Sequence, residues 1–163
     1  MPTRASITTI IVLLFAMALT GCFNDPPPLG SLLLAPNDFP TEGVREIAKI
    51  SAATSKDEPA VQVELTAPGF TILESLVLFE TRERALSTLA GIDEDHGALR
   101  MVSDSAAGFD DSSGIIVEHL DGEQASTVFF VEGRALVKVT VTGDNEVASV
   151  WEIARRAREK VEG

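Results

Sequence analysis

Apolar and polar positions alternate most cleanly in Val61-Gln62-Val63-Glu64-Leu65-Thr66. Valine and leucine fall on one side and the polar residues on the other, the period-two pattern of a half-buried β-strand. Ala67-Pro68-Gly69 marks a turn after it, and residues 70–80 (FTILESLVLFE) are apolar on both faces, which suits a central strand. Residues 114–120 (GIIVEHL) predict a further strand, and LRMVS (99–103) a short one. The clearest element is ASTVFFVEGRALVKVTVTG, residues 125–143. Glu132-Gly133 separates two β-rich runs there, and glycine supplies the positive φ that a hairpin turn or bulge needs. On the returning strand Ala135, Val137, Val139 and Val141 share one face, and Arg134, Leu136, Lys138 and Thr140 share the other.

Two stretches carry a helical period instead. Thr81 can cap the first, with Glu83 in its first turn favoured by the helix dipole. Ala85, Leu86, Leu89 and Ile92 form its buried stripe, and Gly91 lies near its end. From Asp93 to Ser113 the chain reads as mostly polar loop. The closing helix runs from about Asn145 to Glu162, with Asp144 or Asn145 as cap and Val147, Val150, Trp151, Ala154, Ala157 and Val161 on one side. Arg155, Arg156, Arg158 and Lys160 cluster in its last two turns. They read as charge complementing the helix C-terminus on a solvated face, with docking onto anionic headgroups as the alternative. Residues 44–51 (VREIAKIS) are ambiguous, because Val44, Ile47, Ala48 and Ile50 recur at helical spacing over a segment too short to decide. The resulting order predicts an α+β fold: a single antiparallel sheet of about five or six strands with two main helices packed on one face.

The N-terminus changes the picture. After Arg4, Ile7 to Leu19 is a 13-residue apolar run, the size of a signal-peptide core and short for a spanning helix. It ends in Leu19-Thr20-Gly21-Cys22, which holds the one cysteine of the chain. This stretch resembles the lipobox of bacterial lipoproteins at all four positions. The resemblance implies cleavage between Gly21 and Cys22 and acylation of the Cys22 thiol, so that this cysteine is an anchor and not a nucleophile. Two or three acyl chains, at about 0.8 kcal/mol per buried methylene, hold a protein on a bilayer. The single cysteine also excludes an internal disulfide. Three prolines in FNDPPPLGS (23–31) favour an extended tether, which at about 3 Å per residue reaches about 30 Å at most. The expected organisation is a signal peptide over 1–21, a lipidated cysteine and tether over 22–36, and one domain over 37–163. The domain also resembles, over residues 70–161, small bacterial lipoproteins of unassigned function. The shared features are a Gly-Asp loop (Gly108-Phe109-Asp110-Asp111-Ser112), a hairpin over Val128–Val139 and a helix over Val147–Val161. The hairpin differs from that form, in which Arg and Asn flank the glycine. The resemblance implies the fold and the compartment, and no activity.

Charge and composition narrow the partners. Only Arg4 of 13 basic residues precedes Cys22, while all 25 acidic residues follow it. The mature part carries about −13, which disfavours nucleic acid and anionic lipid surfaces. Eight Phe, one Trp and no Tyr point to core use of aromatics rather than a sugar platform. Candidate chemistry is sparse. Asp93-Glu94-Asp95-His96 puts three carboxylates beside an imidazole, and Asp110-Asp111 lies among serines, but both are single contiguous loops without the register of a calcium loop. His119 sits in a predicted strand beside Glu118. No nucleophile elbow, Walker loop, dinucleotide fingerprint or zinc-protease motif is present in the sequence. No catalytic residue, metal ligand or cofactor is therefore assigned, and the expected role is non-enzymatic. The leading expectation is a lipid-anchored, extracytoplasmic protein of the bacterial cell envelope, on the periplasmic face of the outer membrane in a Gram-negative host, that binds an envelope protein. The alternative is a carrier or sensor of a small apolar ligand or lipid.

Overall fold

The structure, a computed structural model, describes residues 28–39, 43–96, 109, 112–120, 122–143 and 147–162. Six strands, β1 (Arg45–Ala53), β2 (Pro59–Ala67), β3 (Phe70–Leu78), β4 (Ser113–Leu120), β5 (Glu123–Glu132) and β6 (Ala135–Gly143), form one sheet in the order β1-β2-β3-β6-β5-β4. Every pairing is antiparallel. Helix α1 (Arg82–His96) connects the β1–β3 meander to the β4–β6 meander, and α2 (Val147–Glu162) closes the chain. A strap of two short 3-10 turns, Leu29–Leu32 and Pro36–Asp38, precedes β1.

The hairpins follow their local chemistry. Gly133 takes a φ of +54° between β5 and β6, at the first central position, where II′ turns place glycine. Gly143, at +121°, ends β6 beside the β2–β3 turn, and a Cβ there would come within 2.3 Å of the Gly69 carbonyl oxygen. That contact leaves room for glycine alone. At the start of α1 the Arg84 N–H donates to Thr81 Oγ1 (3.3 Å), so Thr81 caps the helix as its sequence predicts. Its own backbone N–H and the Thr81 hydroxyl hold the Glu83 carboxyl below its usual range.

Strand alternation corrects the expected placement of the helices. On β5 and β6, Val128, Phe130, Val137 and Val139 join α2 in one apolar cluster, while Phe129, Val131 and Leu136 join α1 in another. Successive side chains on a strand point to opposite faces, so the two helices cover opposite faces of the sheet and not one. The buried doublets Phe129-Phe130 and Leu136-Val137 are the sequence trace of this two-sided packing.

Two other boundaries differ from the sequence reading. The ambiguous residues 44–51 lie mostly in β1, as an edge strand. The register shifts between Glu46 and Ala48, leaving Ile47 as an extra residue that is 60% exposed. This bulge breaks the period of two and spaces the apolar residues as a helix would. Helix α1 also continues through Gly91 to His96, past the expected loop start at Asp93. The short strand expected at 99–103 lies outside the described residues.

Candidate functional site

The strap, one end of α2 and the middle of β3 meet on the first face of the sheet. Leu33 and Leu34 are 1% and 0% exposed, and Phe39 is buried with them. The chain expected to be free tether up to residue 36 is thus part of the domain from Leu29 onward, where Leu29 and Leu32 also pack against the core. Apolar side chains at four of the six positions 29–34 gain more by burial than by remaining extended beside the prolines.

Beneath the strap lies Glu74, flanked on its own strand by Ile72 and Leu76 and across the ladders by Val63 and Val139. It is fully excluded from solvent. The Leu34 N–H donates to its Oε2 at 2.7 Å, and its Oε1 has no hydrogen-bond partner. Burial pushes the Glu74 carboxyl up to about 8. The Leu34 N–H opposes this, Asp38 adds to it, and Lys160 and Lys49 pull the other way. A carboxyl in this setting is neutral near pH 7.

Polar clamps hold the strap at both ends. Lys49 Nζ donates to the Gly30 carbonyl oxygen (2.6 Å) from β1. At the other end Arg156 Nη1 donates to the Asp38 carbonyl oxygen (2.6 Å), and its guanidinium lies 5.0 Å from the Phe39 ring centre. Lys160 Nζ pairs with Asp38 Oδ2 at 3.2 Å, and the same oxygen accepts the Ala35 N–H at 2.7 Å. Asp38, Arg155, Arg156, Glu159 and Lys160 line an open cavity of about 370 Å³. Its charged walls and open mouth are unlike the enclosed apolar pocket that the carrier alternative requires.

The basic cluster of α2 is therefore engaged within the fold. Arg158 Nε pairs with Glu132 Oε2 (3.0 Å) and Glu162 Oε1 (2.8 Å), and its guanidinium lies 5.7 Å from the Phe109 ring centre. Phe109 in turn packs against Phe130 and Trp151, at 5.3 and 5.1 Å between ring centres. The Gly-Asp loop thus contributes a core residue. Its Asp110 and Asp111 lie outside the described residues, as do Gly21, Cys22 and the side chains of Asp93 to His96. Among the described residues no group of three or more potential metal ligands comes together. His119 is exposed on the edge strand β4.

The sheet's second face and its β1 edge differ from this clamped region. Beyond α1, Gln62, Glu64, Leu73 and Ser75 stay half-exposed. Burial pushes Lys138 below the usual lysine range on the same face, with Glu118 opposing. Along the edge, Ile47 and Ile50 are 60% and 49% exposed. Neither Glu74 nor its strap partners were singled out by sequence. One signal was present: in a strand, Ile72, Glu74 and Leu76 share a face, so a carboxylate interrupts an otherwise inward apolar row.

No family model matches the chain, and no curated protein matches it. Among solved structures the chain is similar to the extracellular domain of PknH from Mycobacterium tuberculosis. The TM-score is 0.61 at 12% identity, over 82% of this chain and 94% of that one. At that identity the likeness is one of fold. Among the described residues no helix is long and apolar enough to cross a membrane.

Proposed function

We propose that the protein is a bacterial lipoprotein of the cell envelope, anchored through acylated Cys22, whose extracytoplasmic domain binds another envelope protein and catalyses no reaction. Leu19-Thr20-Gly21-Cys22, with the apolar run before it, supports the anchor. The fold shared with an extracellular domain agrees with that compartment. With the strap docked from Leu29, the tether shortens to Cys22–Pro28, or about 20 Å at about 3 Å per residue, and the domain stays close to the membrane surface.

The observation that carries the binding role is β1. It is a nine-residue strand at the sheet edge, paired on one side by β2, with two isoleucines in solvent. Such an edge offers backbone N–H and C=O groups to an added strand, and Ile47 and Ile50 offer it apolar contact. The test is affinity capture from detergent-solubilised envelope with the wild type and with Ile47→Asp/Ile50→Asp. A partner recovered by the wild type and lost by the variant, at unchanged melting temperature, supports the reading. A partner recovered equally by both removes β1 from it. Separately, Cys22→Ala should abolish acyl labelling and leave the precursor uncleaved, and unchanged labelling would refute the anchor.

A further inference from the structure

Glu74 is an expensive residue for the middle of a sheet. A buried carboxyl with one hydrogen bond costs more than the valine or leucine that its neighbours would accommodate. Its one hydrogen bond reaches out of the sheet, to the backbone of Leu34, forty positions earlier in the chain. The strap closes over it through Leu34. On the strands, its ladder partners are Val63 and Val139, which bring no charge. The charged groups around it come from the packed elements: Asp38 on the strap, Lys160 on α2 and Lys49 on β1, with Arg156 beyond them on the Asp38 carbonyl. Two of these, Lys49 and Lys160, also clamp the strap. The carboxyl thus takes the Leu34 N–H directly and lies among the charges that clamp the strap.

We propose that the strap over Leu29–Phe39 is a proton-coupled latch: a neutral Glu74 lets it close on the sheet, and ionisation of Glu74 lifts it and uncovers the apolar trough between β2 and α2. Closed, the carboxyl is dry and its charge has no adequate counter-ion. Open, Glu74 meets water and ionises as an ordinary carboxylate. Each opening therefore releases one proton, and a rise in pH favours the open form. Opening frees Leu33, Leu34 and Phe39 together, since one short segment carries all three. The latch does not depend on acylation of Cys22, nor on a partner at β1. It joins the state of the sheet to the segment that follows the proposed anchor.

The test is amide hydrogen exchange on the full chain between pH 5.5 and 8, corrected for the intrinsic pH dependence of exchange. The opening constant read at the Leu34 amide, which bonds Glu74 directly, should rise close to tenfold per pH unit from pH 5.5 to 7, the slope for one proton released, and level off towards pH 8. The Val139 amide, in the centre of β6, should open far more rarely. In Glu74→Gln, whose amide oxygen can still accept the Leu34 N–H, strap opening should become independent of pH. The same slope in Glu74→Gln, or no slope in the wild type, overturns the latch. Equal opening constants at Leu34 and Val139 also overturn it, because the proton would then be coupled to global unfolding alone. Should Glu74→Gln not fold, the wild-type titration of the Glu74 carboxyl carbon by NMR replaces it. A midpoint well above 4.5 supports the latch, and one at 4.5 overturns it.

Discussion

The two helices cover the same pair of strands, β5 and β6, from opposite sides, and they hold them differently. Helix α2 buries Val150, Trp151, Ile153, Ala154 and Ala157 and adds polar ties to the strap and to the β5–β6 hairpin. Helix α1 buries a narrow stripe of Ala85 and Leu89, with Leu86 and Ile92 partly covered. One face of the sheet is thus closed from β2 to β5 by strap and helix together. On the other, polar side chains of β2 and β3 remain half-exposed. A six-stranded sheet offers two equivalent faces, and what distinguishes them is the number of independent segments brought to each.

If that contrast is right, the largest single effect belongs to α2. Trp151→Ala should destabilise the protein by about 3–5 kcal/mol in urea denaturation, because it empties the contact with Phe109. Leu89→Ala in α1 should fall near about 2–3 kcal/mol, at the low end for a buried leucine, since its small cluster is bordered by the partly covered Val77, Leu86 and Ile92, which can relax into the space. A larger loss at Leu89 than at Trp151 would reverse the ranking of the two faces.

The next effect is one of pH. Folding raises the Glu74 carboxyl from 4.5 to about 8, so the folded state binds the extra proton between those values. Stability therefore falls as pH rises through that window, by roughly 3 kcal/mol between pH 4.5 and 7. Urea midpoints of the wild type and Glu74→Gln should converge at the acid end and separate towards neutrality, with the variant the more stable. Parallel curves would remove the buried carboxyl from the balance.

Smaller effects separate the helices locally. Thr81→Ala should cost about 1 kcal/mol, from the lost cap of α1. Lys160→Ala should cost about 0.5 kcal/mol, since the pair with Asp38 is partly solvated, and the difference should shrink in high salt. A salt-independent loss at Lys160 would show that its packing, and not its charge, secures the strap.

The β2–β3 and β5–β6 hairpins were legible in the sequence because a strand's period and a hairpin's glycine are local properties. Val61 to Thr66, the Pro68-Gly69 turn and Gly133 each carry their own instruction. The closing helix and the cap at Thr81 were legible for the same reason. Residues 44–51 were not, because a bulge at Ile47 mimics helical spacing and only pairing with β2 resolves it. The strap was read as tether because its prolines dominate the local composition, whereas the burial of Leu33 and Leu34 depends on a surface built by β2, β3 and α2, far along the chain.

By itself the sequence determined the strands from β2 onward and their turns, the α+β composition and the expectation of an anchor at Cys22, since all three reside in short contiguous patterns. Tertiary structure alone decided which face each helix takes. Alternation sorts side chains into two sets, and the connection through α1 chooses between them. It also decided the meaning of Glu74. A carboxylate in an apolar row is only an anomaly until Leu34, Asp38, Lys49 and Lys160 are brought around it. With Glu74 itself, those groups come from four separate parts of the chain, the strap, β1, β3 and α2, and no local pattern could place them together.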